Sequence, residues 1–169
     1  MESAADAVIA IDLADEAATH ALATTLADAV VEATPPNLVI ALWGDLGVGK
    51  SVYARAFINA LPGETEEVPS PTFTLLQTYD RDDTPVHHFD LYRIEDAEEC
   101  IELGIEDAFA DGISLIEWPD RLGTLLPRER LDVTISLGKG ETDRRATLSG
   151  AGGMALRLIG RIVPGYKDD

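Results

Sequence analysis

One octapeptide determines how the rest of this chain is interpreted: Gly44-Asp45-Leu46-Gly47-Val48-Gly49-Lys50-Ser51. It fits the pattern G-x-x-x-x-G-K-[ST] of a phosphate-binding loop. Glycines allow the backbone to curl so that successive N–H groups point at one cluster of phosphate oxygens. In such loops the lysine reaches the β- and γ-phosphates, and the hydroxyl that follows it ligates Mg²⁺. The octapeptide therefore predicts a nucleoside triphosphate site, with Lys50 and Ser51 in these two roles.

The sequence on either side of the loop supports this prediction. Residues 37–43 (NLVIALW) form an apolar run, which is typical of a buried parallel strand. Residues 51–61 (SVYARAFINAL) carry apolar side chains at helical spacing and are followed by a Pro-Gly pair. A strand, a glycine loop and a helix in this order are the expected context of the motif. This context disfavours the plainest alternative, a glycine-rich turn with a surface lysine.

The composition predicts one globular domain that covers residues 1–169. Hydrophobic residues make up 46% of the chain and charged residues 26%, and no window of about 18 consecutive apolar residues predicts a membrane span. The N-terminus shows no basic region followed by an apolar segment, so we expect no secretory signal. The only cysteine, Cys100, cannot form an internal disulfide, and we expect it to be a packed side chain. These features favour a cytoplasmic protein.

The net charge of −18 is unevenly distributed along the chain. Residues 1–110 hold 22 acidic and 4 basic side chains, whereas residues 111–169 hold 9 of each. An acidic surface repels a polyanion, so tight direct binding of nucleic acid to the first two thirds is disfavoured. If the protein serves RNA chemistry, either a partner holds the RNA or only the C-terminal part approaches it. A role of the acidity in solubility alone is an equally good interpretation.

The remaining patterns predict an α/β fold. Strands are expected at residues 8–13, 74–79, 86–92, 113–118, 131–137 and 145–148, and helices at residues 16–31 and 97–103, with turns at 80–85, 138–140 and 150–153. Residues 155–162 fit either a helix or a strand, and the helix is favoured. The two strands around the turn at 80–85 form an antiparallel hairpin. We therefore expect a single-domain P-loop NTPase fold, in which a mixed, mostly parallel sheet carries flanking helices and this hairpin.

Two carboxylates lie at or near the ends of apolar strands, where open α/β sheets bind their ligands. Asp90 shares one strand face with His88, and a carboxylate there can hold Mg²⁺ directly or through water. The alternatives for Asp90 are a turn cap or a pair with Arg93. Glu117 ends the strand that begins at Ile113, where it can complete the Mg²⁺ shell or position an attacking water.

Three other residues are candidates with weaker support. Trp118 either shields the site or is an ordinary packed aromatic side chain. Ser70 and Thr72 lie in a stiff segment that contains two prolines. Their hydroxyl groups could meet the γ-phosphate, and a loop held only by that contact would relax after hydrolysis and act as a switch.

Four blocks of this sequence together resemble the TsaE family (formerly YjeE). They are GDLGVGKS (44–51), SPTF (70–73), HFDLYR (88–93) and EW (117–118), which occur in family order and in a chain of matching length. Members of this family are bacterial ATPases required for threonylcarbamoyladenosine formation at position 37 of tRNAs. The resemblance implies a P-loop ATPase that uses ATP and Mg²⁺ and is weakly active alone. It also implies that the protein acts with a TsaB–TsaD heterodimer and meets tRNA only through that complex.

The resemblance implies a role for each motif residue. Contacts to the nucleotide phosphates are expected from Asp45, Leu46, Gly47, Val48, Gly49 and Lys50. Ser51 and Glu117 are the expected Mg²⁺ ligands, and Glu16 matches a family position near the nucleotide base. The residues expected to support catalysis are Lys50, Thr72, Asp90 and Glu117, with Asp90 as the acidic residue of the second nucleotide motif and Thr72 as the switch-type residue.

Two loop residues depart from the family pattern. Val48 stands where alanine is usual, and Ser51 stands where threonine is usual. Val48 still offers its backbone N–H group and Ser51 keeps a hydroxyl, so the chemistry of the loop is retained. The bulkier valine could alter the loop slightly.

Two other functions are open alternatives. A small-molecule kinase would need a basic lid over a second substrate, for which Arg121, Arg128 and Arg130 are candidates. The short connections leave little room for such a lid domain. A nucleotide-dependent binding module without significant turnover would use ATP only to set its affinity for a partner.

Overall fold

The computed structural model describes residues 7–63, 75–82 and 84–166. Within these residues the strands are β1 (Ala7–Leu13), β2 (Asn37–Trp43), β3 (Leu76–Arg81), β4 (Thr84–Asp90), β5 (Gly112–Glu117), β6 (Arg130–Leu137) and β7 (Arg144–Ala151). The α-helices are α1 (Glu16–Ala33), α2 (Lys50–Ala60), α3 (Ala97–Glu102), α4 (Ile105–Phe109) and α5 (Gly153–Ile162), and 3₁₀ turns cover Pro119–Leu125 and Val163–Tyr166.

The strands form one mixed sheet in the order β1-β7-β6-β2-β5-β4-β3. The four central strands β6, β2, β5 and β4 are parallel to their neighbours within this group, whereas the pairs β1–β7, β7–β6 and β4–β3 are antiparallel. The predicted mixed sheet, with a hairpin at one edge, is therefore confirmed. Its antiparallel share is larger than the sequence indicated, because β7 and β1 extend the other edge with two further antiparallel pairs.

Helices cover both faces of the sheet, so the central strands are apolar on both sides. The cluster on one face includes residues of α1, α2 and α5, and the cluster on the other includes residues of α3, α4 and the first 3₁₀ turn. Alternation along β2 follows the two-residue period of a strand, since Leu38, Ile40 and Leu42 belong to the first cluster and Val39 to the second. This arrangement explains why residues 37–43 are a nearly continuous apolar run.

The register of the parallel strands brings three strand ends to one level. Glu117, the last residue of β5, pairs with Leu42 of β2 on one side and with Asp90 of β4 on the other. The phosphate loop leaves the sheet one residue later, after Trp43. The two carboxylates singled out from the sequence are therefore neighbours, and both lie beside the loop.

The β3–β4 hairpin is tighter and begins later than expected. Arg81 pairs directly with Thr84, so the turn is shorter than residues 80–85. Strand β4 ends at Asp90 rather than at residue 92, because the chain turns immediately afterwards and the Ile94 amide donates to the Leu91 carbonyl. Thr74, the expected first residue of the hairpin, lies outside the described residues.

The glycines near the C-terminus have a different role from the one the sequence indicated. The predicted turn at 150–153 is wrong for its first two residues, which belong to β7. A side chain at Gly150 would place its Cβ 2.5 Å from the Cβ of Ala155, so this glycine permits α5 to approach the sheet closely. Helix α5 itself confirms the helix favoured for residues 155–162.

Short helical elements escaped the sequence patterns. Helix α4 has five residues and the first 3₁₀ turn has seven, which is too short for a 3.6-residue periodicity to stand out. The predicted end of the preceding helix at Gly104 agrees with the structure, where Gly104 adopts a left-handed conformation (φ 80°). None of the helices in the described residues is long and apolar enough to cross a membrane.

A pair of glycines offers a direct test of the packing between β5 and β4. Both Gly112 and Gly104 have positive φ angles (79° and 80°), but a Cβ at Gly112 would lie 2.1 Å from the Pro85 carbonyl oxygen, whereas a Cβ at Gly104 would have no neighbour within 4 Å. Both alanine variants incur the strain of a left-handed residue, of about 1–2 kcal/mol, and only Gly112→Ala must also separate β5 from β4. We expect Gly112→Ala to lower the free energy of unfolding by about 1–3 kcal/mol more than Gly104→Ala, as measured by urea denaturation. Equal losses for the two variants would contradict the packing described here.

Candidate nucleotide-binding site

The predicted phosphate loop connects β2 to α2 and ends at the first turn of that helix. Helix α2 begins at Lys50, and its N-cap Gly49 has a left-handed conformation (φ 110°) that a side chain would strain. The unpaired N–H groups at a helix N-terminus attract anions. The loop therefore ends at a helix N-terminus, the position that the sequence motif requires of a phosphate cradle.

Val48 is held by contacts of both its side chain and its backbone. Its side chain is buried in the cluster formed with α1 and α2, and its carbonyl oxygen accepts a hydrogen bond of 3.2 Å from Nε of Arg144. The valine that departs from the family pattern is thus accommodated by the core. Arg144 is a loop-supporting residue that the sequence analysis did not single out, because it lies 96 residues away along the chain.

Lys50 is folded back onto its own loop. Its side chain is buried, Nζ donates a hydrogen bond to the Gly44 carbonyl oxygen, and Nζ lies 3.5 Å from the centroid of the Trp118 ring. A cation over an indole face is an attractive arrangement. Trp118 therefore contacts a motif residue directly, and the Tyr92 ring packs against Trp118 in turn, with a centroid separation of 5.0 Å.

Burial lowers the pKa of the Lys50 ammonium group below its ordinary value of 10.5. Nearby carboxylates oppose part of this shift; in order of effect they belong to Glu117, Asp90, Asp120 and Asp45. The lysine is thus a buried cation surrounded by negative charge. Asp120 is an addition to the set predicted from sequence, which gave no signal for it beyond its position two residues after Trp118.

Each carboxylate oxygen of Glu117 contacts a different side chain. Ser51 Oγ donates to Glu117 Oε1 over 2.9 Å, and His88 Nε2 lies 2.7 Å from Glu117 Oε2. Glu117 and His88 are 2% and 0% exposed, so the contact between them is shielded from solvent, whereas the contact with Ser51 is partly buried. The sequence placed Ser51 and Glu117 in one site, but it did not predict the pairing of Glu117 with His88.

The donor set at this point fits a Mg²⁺ ion. Two adjacent ligands of an octahedral ion with metal–oxygen distances of 2.0–2.1 Å are separated by about 2.8–3.0 Å, and the Ser51 and Glu117 oxygens are 2.9 Å apart. Across the described residues no group of three or more His, Cys, Asp or Glu side chains has metal-binding geometry.

Asp90 is buried at the end of β4 and also caps the turn that follows. Its Oδ1 accepts a hydrogen bond of 3.0 Å from the Tyr92 amide. The turn-cap alternative is therefore observed. It does not remove Asp90 from the site, because the same side chain lines the cavity beside Lys50 and Glu117.

The loop separates two cavities. The first, of about 270 Å³, is lined by Leu46, Gly47, Gly49, Lys50, Ser51, Val52, Asp90, Tyr92, Glu117 and Trp118. The second, of about 430 Å³, lies on the other side of residues 47–49 and is lined in addition by Glu16, Thr19 and Arg144. A nucleotide with its phosphates on the loop could thus extend to either side.

A cavity of about 410 Å³ at the opposite end of the sheet, between Val30 and Ile113, contains none of the predicted site residues.

Glu16 lines a cavity together with residues 47–49 of the loop. It is the first residue of α1, whose N-cap Asp15 accepts a hydrogen bond from the Ala18 amide. The Glu16 side chain is exposed, and its Oε1 lies 3.6 Å from Nε2 of His20. The structure therefore brings together all the predicted site residues that it describes; Thr72 and its neighbour Ser70 lie outside the described residues.

Comparison with known proteins identifies the family. The family model described as "Threonylcarbamoyl adenosine biosynthesis protein TsaE" matches residues 13–146. A protein of Rickettsia bellii (strain RML369-C) named "tRNA threonylcarbamoyladenosine biosynthesis protein TsaE" is 43% identical over 102 residues, which are 60% of this chain and 71% of the relative. The protein of the same name from Bacillus subtilis (strain 168) is 38% identical over 118 residues, 69% of this chain and 72% of the relative.

A solved structure agrees with these matches. The crystal structure of Bacillus subtilis YdiB superposes with a TM-score of 0.78 at 28% sequence identity, over 98% of this chain and 100% of that chain. The region matched by the family model contains the loop, Asp90 and Glu117. This chain belongs to the TsaE family.

Proposed function

We propose that this chain is a Mg²⁺-dependent ATPase that serves threonylcarbamoyladenosine biosynthesis in tRNA. Membership of the TsaE family supports the biosynthetic role. The observation that carries the ATPase assignment is the 2.9 Å contact between Ser51 and Glu117 at the N-terminus of α2. It places a hydroxyl and a carboxylate, the two oxygen ligands that P-loop enzymes use for Mg²⁺, at the mouth of a phosphate cradle.

Phosphate binding would change the contacts of Lys50. The Gly44 carbonyl and the Trp118 ring are its partners in this structure, and a charged phosphate oxygen is a stronger partner than either. Lys50 would then turn toward the β- and γ-phosphates while the N–H groups of residues 47–51 bind their oxygens. Bound Mg²⁺, held by Ser51 and Glu117, would offset the negative charge of the phosphates.

Glu117 and Asp90 would place the attacking water. Both carboxylates line the same cavity, and both are restrained by hydrogen bonds that fix their orientation. A carboxylate held in this way can accept a hydrogen bond from water in line with the γ-phosphate. The switch role expected for Thr72 is part of the same proposal.

The nucleoside would occupy the cavity on the α1 side of the loop. Glu16 and Thr19 line that cavity together with residues 47–49. Thr19 is buried and Glu16 exposed, so the base would be bounded by α1 on one side and open to solvent on the other.

The proposed partner is a TsaB–TsaD-type heterodimer that holds the tRNA. Two exposed apolar side chains, Leu46 at 71% and Tyr92 at 42% exposure, lie at the mouth of the phosphate-side cavity. Exposed apolar groups beside a site favour a protein partner there. The acidic charge of residues 1–110 supports the indirect contact with tRNA, and a cytoplasmic location is part of the same proposal.

The kinase alternative receives little support. Arg130 binds the Asp132 carboxylate and the Pro127 carbonyl, and it lines a cavity with Asn37 at the amino end of β2, away from the phosphate loop. Arg121 donates to the Tyr92 carbonyl. Neither of these two arginines is arranged as part of a lid over a second substrate.

Phosphate release tests the ATPase proposal. We expect slow release from ATP by the protein alone and faster release with purified TsaB–TsaD. Glu117→Gln should lower the rate by about 10²-fold or more, because water positioning and Mg²⁺ binding are both weakened. Ser51→Thr, which keeps the hydroxyl, is the matched control for Ser51→Ala and should keep most of the activity that the alanine variant loses. The absence of release by the wild-type protein in both conditions would contradict the proposal, as would transfer of the γ-phosphate to a metabolite.

The lowered pKa of Lys50 predicts proton uptake when ATP binds at alkaline pH. The free protein holds this proton less tightly than an ordinary lysine does, and bound phosphate raises the pKa again because opposite charges attract. We expect uptake of up to about one proton per nucleotide and an ATP affinity that falls as pH rises through the lowered pKa. Calorimetry in two buffers of different ionisation enthalpy measures the uptake. Lys50→Arg should abolish it, since arginine stays protonated; uptake that persists in that variant would place its source elsewhere.

Reconstitution separates an ATPase from a binding module. With TsaB–TsaD, tRNA and the other substrates present, repeated rounds of modification should require ATP and should stop after about one round with a non-hydrolysable analogue. The Glu117→Gln variant should behave like the analogue, because it binds nucleotide without hydrolysing it. Full modification with the analogue would favour a module whose nucleotide only sets partner affinity.

A further inference from the structure

His88 is a buried polar residue that the proposed reaction does not yet use. It lies in β4 with its side chain 0% exposed, on the face of the strand that it shares with Val86 and Asp90. This face is directed toward α2, where Ser51 lies. Burial of a histidine against an apolar layer is unfavourable unless its ring nitrogens are hydrogen-bonded.

Its two nitrogens have different surroundings. Nε2 lies 2.7 Å from Glu117 Oε2, and since an ionised carboxylate can only accept, Nε2 carries the hydrogen of this bond. Nδ1 is buried and has no hydrogen-bond partner among the described residues. Among the described residues, Glu117 is therefore the hydrogen-bond partner of the His88 ring.

The contact restrains Glu117 from the side opposite to Ser51. Glu117 is the terminal residue of β5 and has three side-chain torsions, so its carboxylate needs external contacts to keep one orientation. Ser51 holds Oε1 and His88 holds Oε2, which leaves the plane of the carboxylate fixed between α2 and β4. Outer partners of this kind orient metal-binding carboxylates, and their loss typically weakens metal binding by about 10–100-fold.

We propose that His88 is a positioning residue, whose Nε2–H group orients the Glu117 carboxylate for the Mg²⁺–nucleotide complex. This inference rests on the proposed function, because it assigns a supporting role within that same site. His88 does not touch the nucleotide in this arrangement; it acts through Glu117. A purely structural histidine would stabilise β4 against β5 without altering how nucleotide affinity depends on Mg²⁺.

Two amide variants of different side-chain length distinguish a positioning role of His88 from a purely structural one. The amide nitrogen of glutamine can occupy the position of Nε2, whereas the shorter asparagine places its amide near Nδ1, too far from Glu117. His88→Gln should therefore keep the hydrogen bond and His88→Asn should lose it, although both bury a neutral amide. If His88→Asn fails to fold, as judged by urea denaturation, His88→Leu replaces it as the variant without a donor.

The adjacent histidine supplies a matched control. His87 points to the opposite face of β4, where Nδ1 lies 3.3 Å from Thr78 Oγ1 and Nε2 lies 3.1 Å from the Asp111 carbonyl oxygen. His87→Asn changes the same side-chain type in the same strand without contacting Glu117. It should leave the Mg²⁺ dependence of nucleotide binding unchanged.

The measurement is the affinity for a non-hydrolysable ATP analogue with Mg²⁺ and with EDTA. We expect His88→Asn to lower the gain in affinity that Mg²⁺ provides by about 10–100-fold, and to leave the affinity in EDTA within about twofold. His88→Gln should restore most of the gain. In a Glu117→Gln background, His88→Asn should cause little further loss, because the two residues act through one contact.

Three outcomes would overturn the inference. They are an unchanged Mg²⁺-dependent gain in His88→Asn, an equal loss of affinity with and without Mg²⁺, and additive losses in the double variant with Glu117→Gln. In each case the wild-type protein still shows a Mg²⁺-dependent affinity, so the proposed function is unaffected. A wild-type affinity that ignores Mg²⁺ would instead contradict the proposed function itself and, with it, the role of His88.

Discussion

The carboxylate of Glu117 connects the sheet to the phosphate loop, and the candidate site depends on it. Its backbone ends β5, one oxygen accepts from Ser51 in α2, and the other lies against His88 in β4. Removal of a carboxylate from water is unfavourable by several kcal/mol unless hydrogen bonds replace its hydration. Here the replacement bonds come from two different elements, so the same contacts that make the buried charge tolerable also fix the distance between loop and sheet.

One cation lies among the carboxylates of the site. Lys50 is the buried cation of the site, and the carboxylates of Glu117 and Asp90 partly offset the effect of burial on it. Its ammonium group nevertheless remains bonded to a carbonyl of its own loop and to the indole of Trp118. A bound nucleotide must displace both partners of the ammonium group. The contribution of Lys50 to nucleotide affinity is therefore the difference in strength between its contact with the phosphates and its contacts with the carbonyl and the indole.

The sequence predicted the central strand, the loop, the following helix and the mixed sheet because each has a strong local pattern. Residues 37–43 are apolar on both faces, and the glycines and lysine of the loop fit a phosphate-binding motif between a strand and a helix. The contacts between the site residues were harder to predict from the sequence. Asp90 and Glu117 could be placed at strand ends, but whether they face one another depends on the register between β4 and β5, which no local pattern encodes. The shared face of His88 and Asp90 was visible from the two-residue period, whereas the partner of His88 was not.

Tertiary contacts explain both the wrong turn at residues 150–151 and the short helical elements that the sequence did not predict. Gly150 and Ala151 were assigned to a turn from composition, but the absence of a side chain at Gly150 serves the contact with Ala155 in α5. Helix α4 and the first 3₁₀ turn are stabilised by packing against the second hydrophobic cluster rather than by their own periodicity. In both cases a tertiary contact decides the conformation, and the local sequence is compatible with more than one.

The backbone of Trp118 is strained at the point where its ring meets the site. This residue has φ 59° and ψ 53°, a left-handed conformation that disfavours bulky side chains by about 1–2 kcal/mol. Glycine would relieve the strain, but it would remove the ring that lies over Lys50. Tryptophan at position 118 therefore combines an unfavourable backbone conformation with the ring contact to Lys50. Proteins commonly give up stability in this way where a functional site requires an unfavourable conformation.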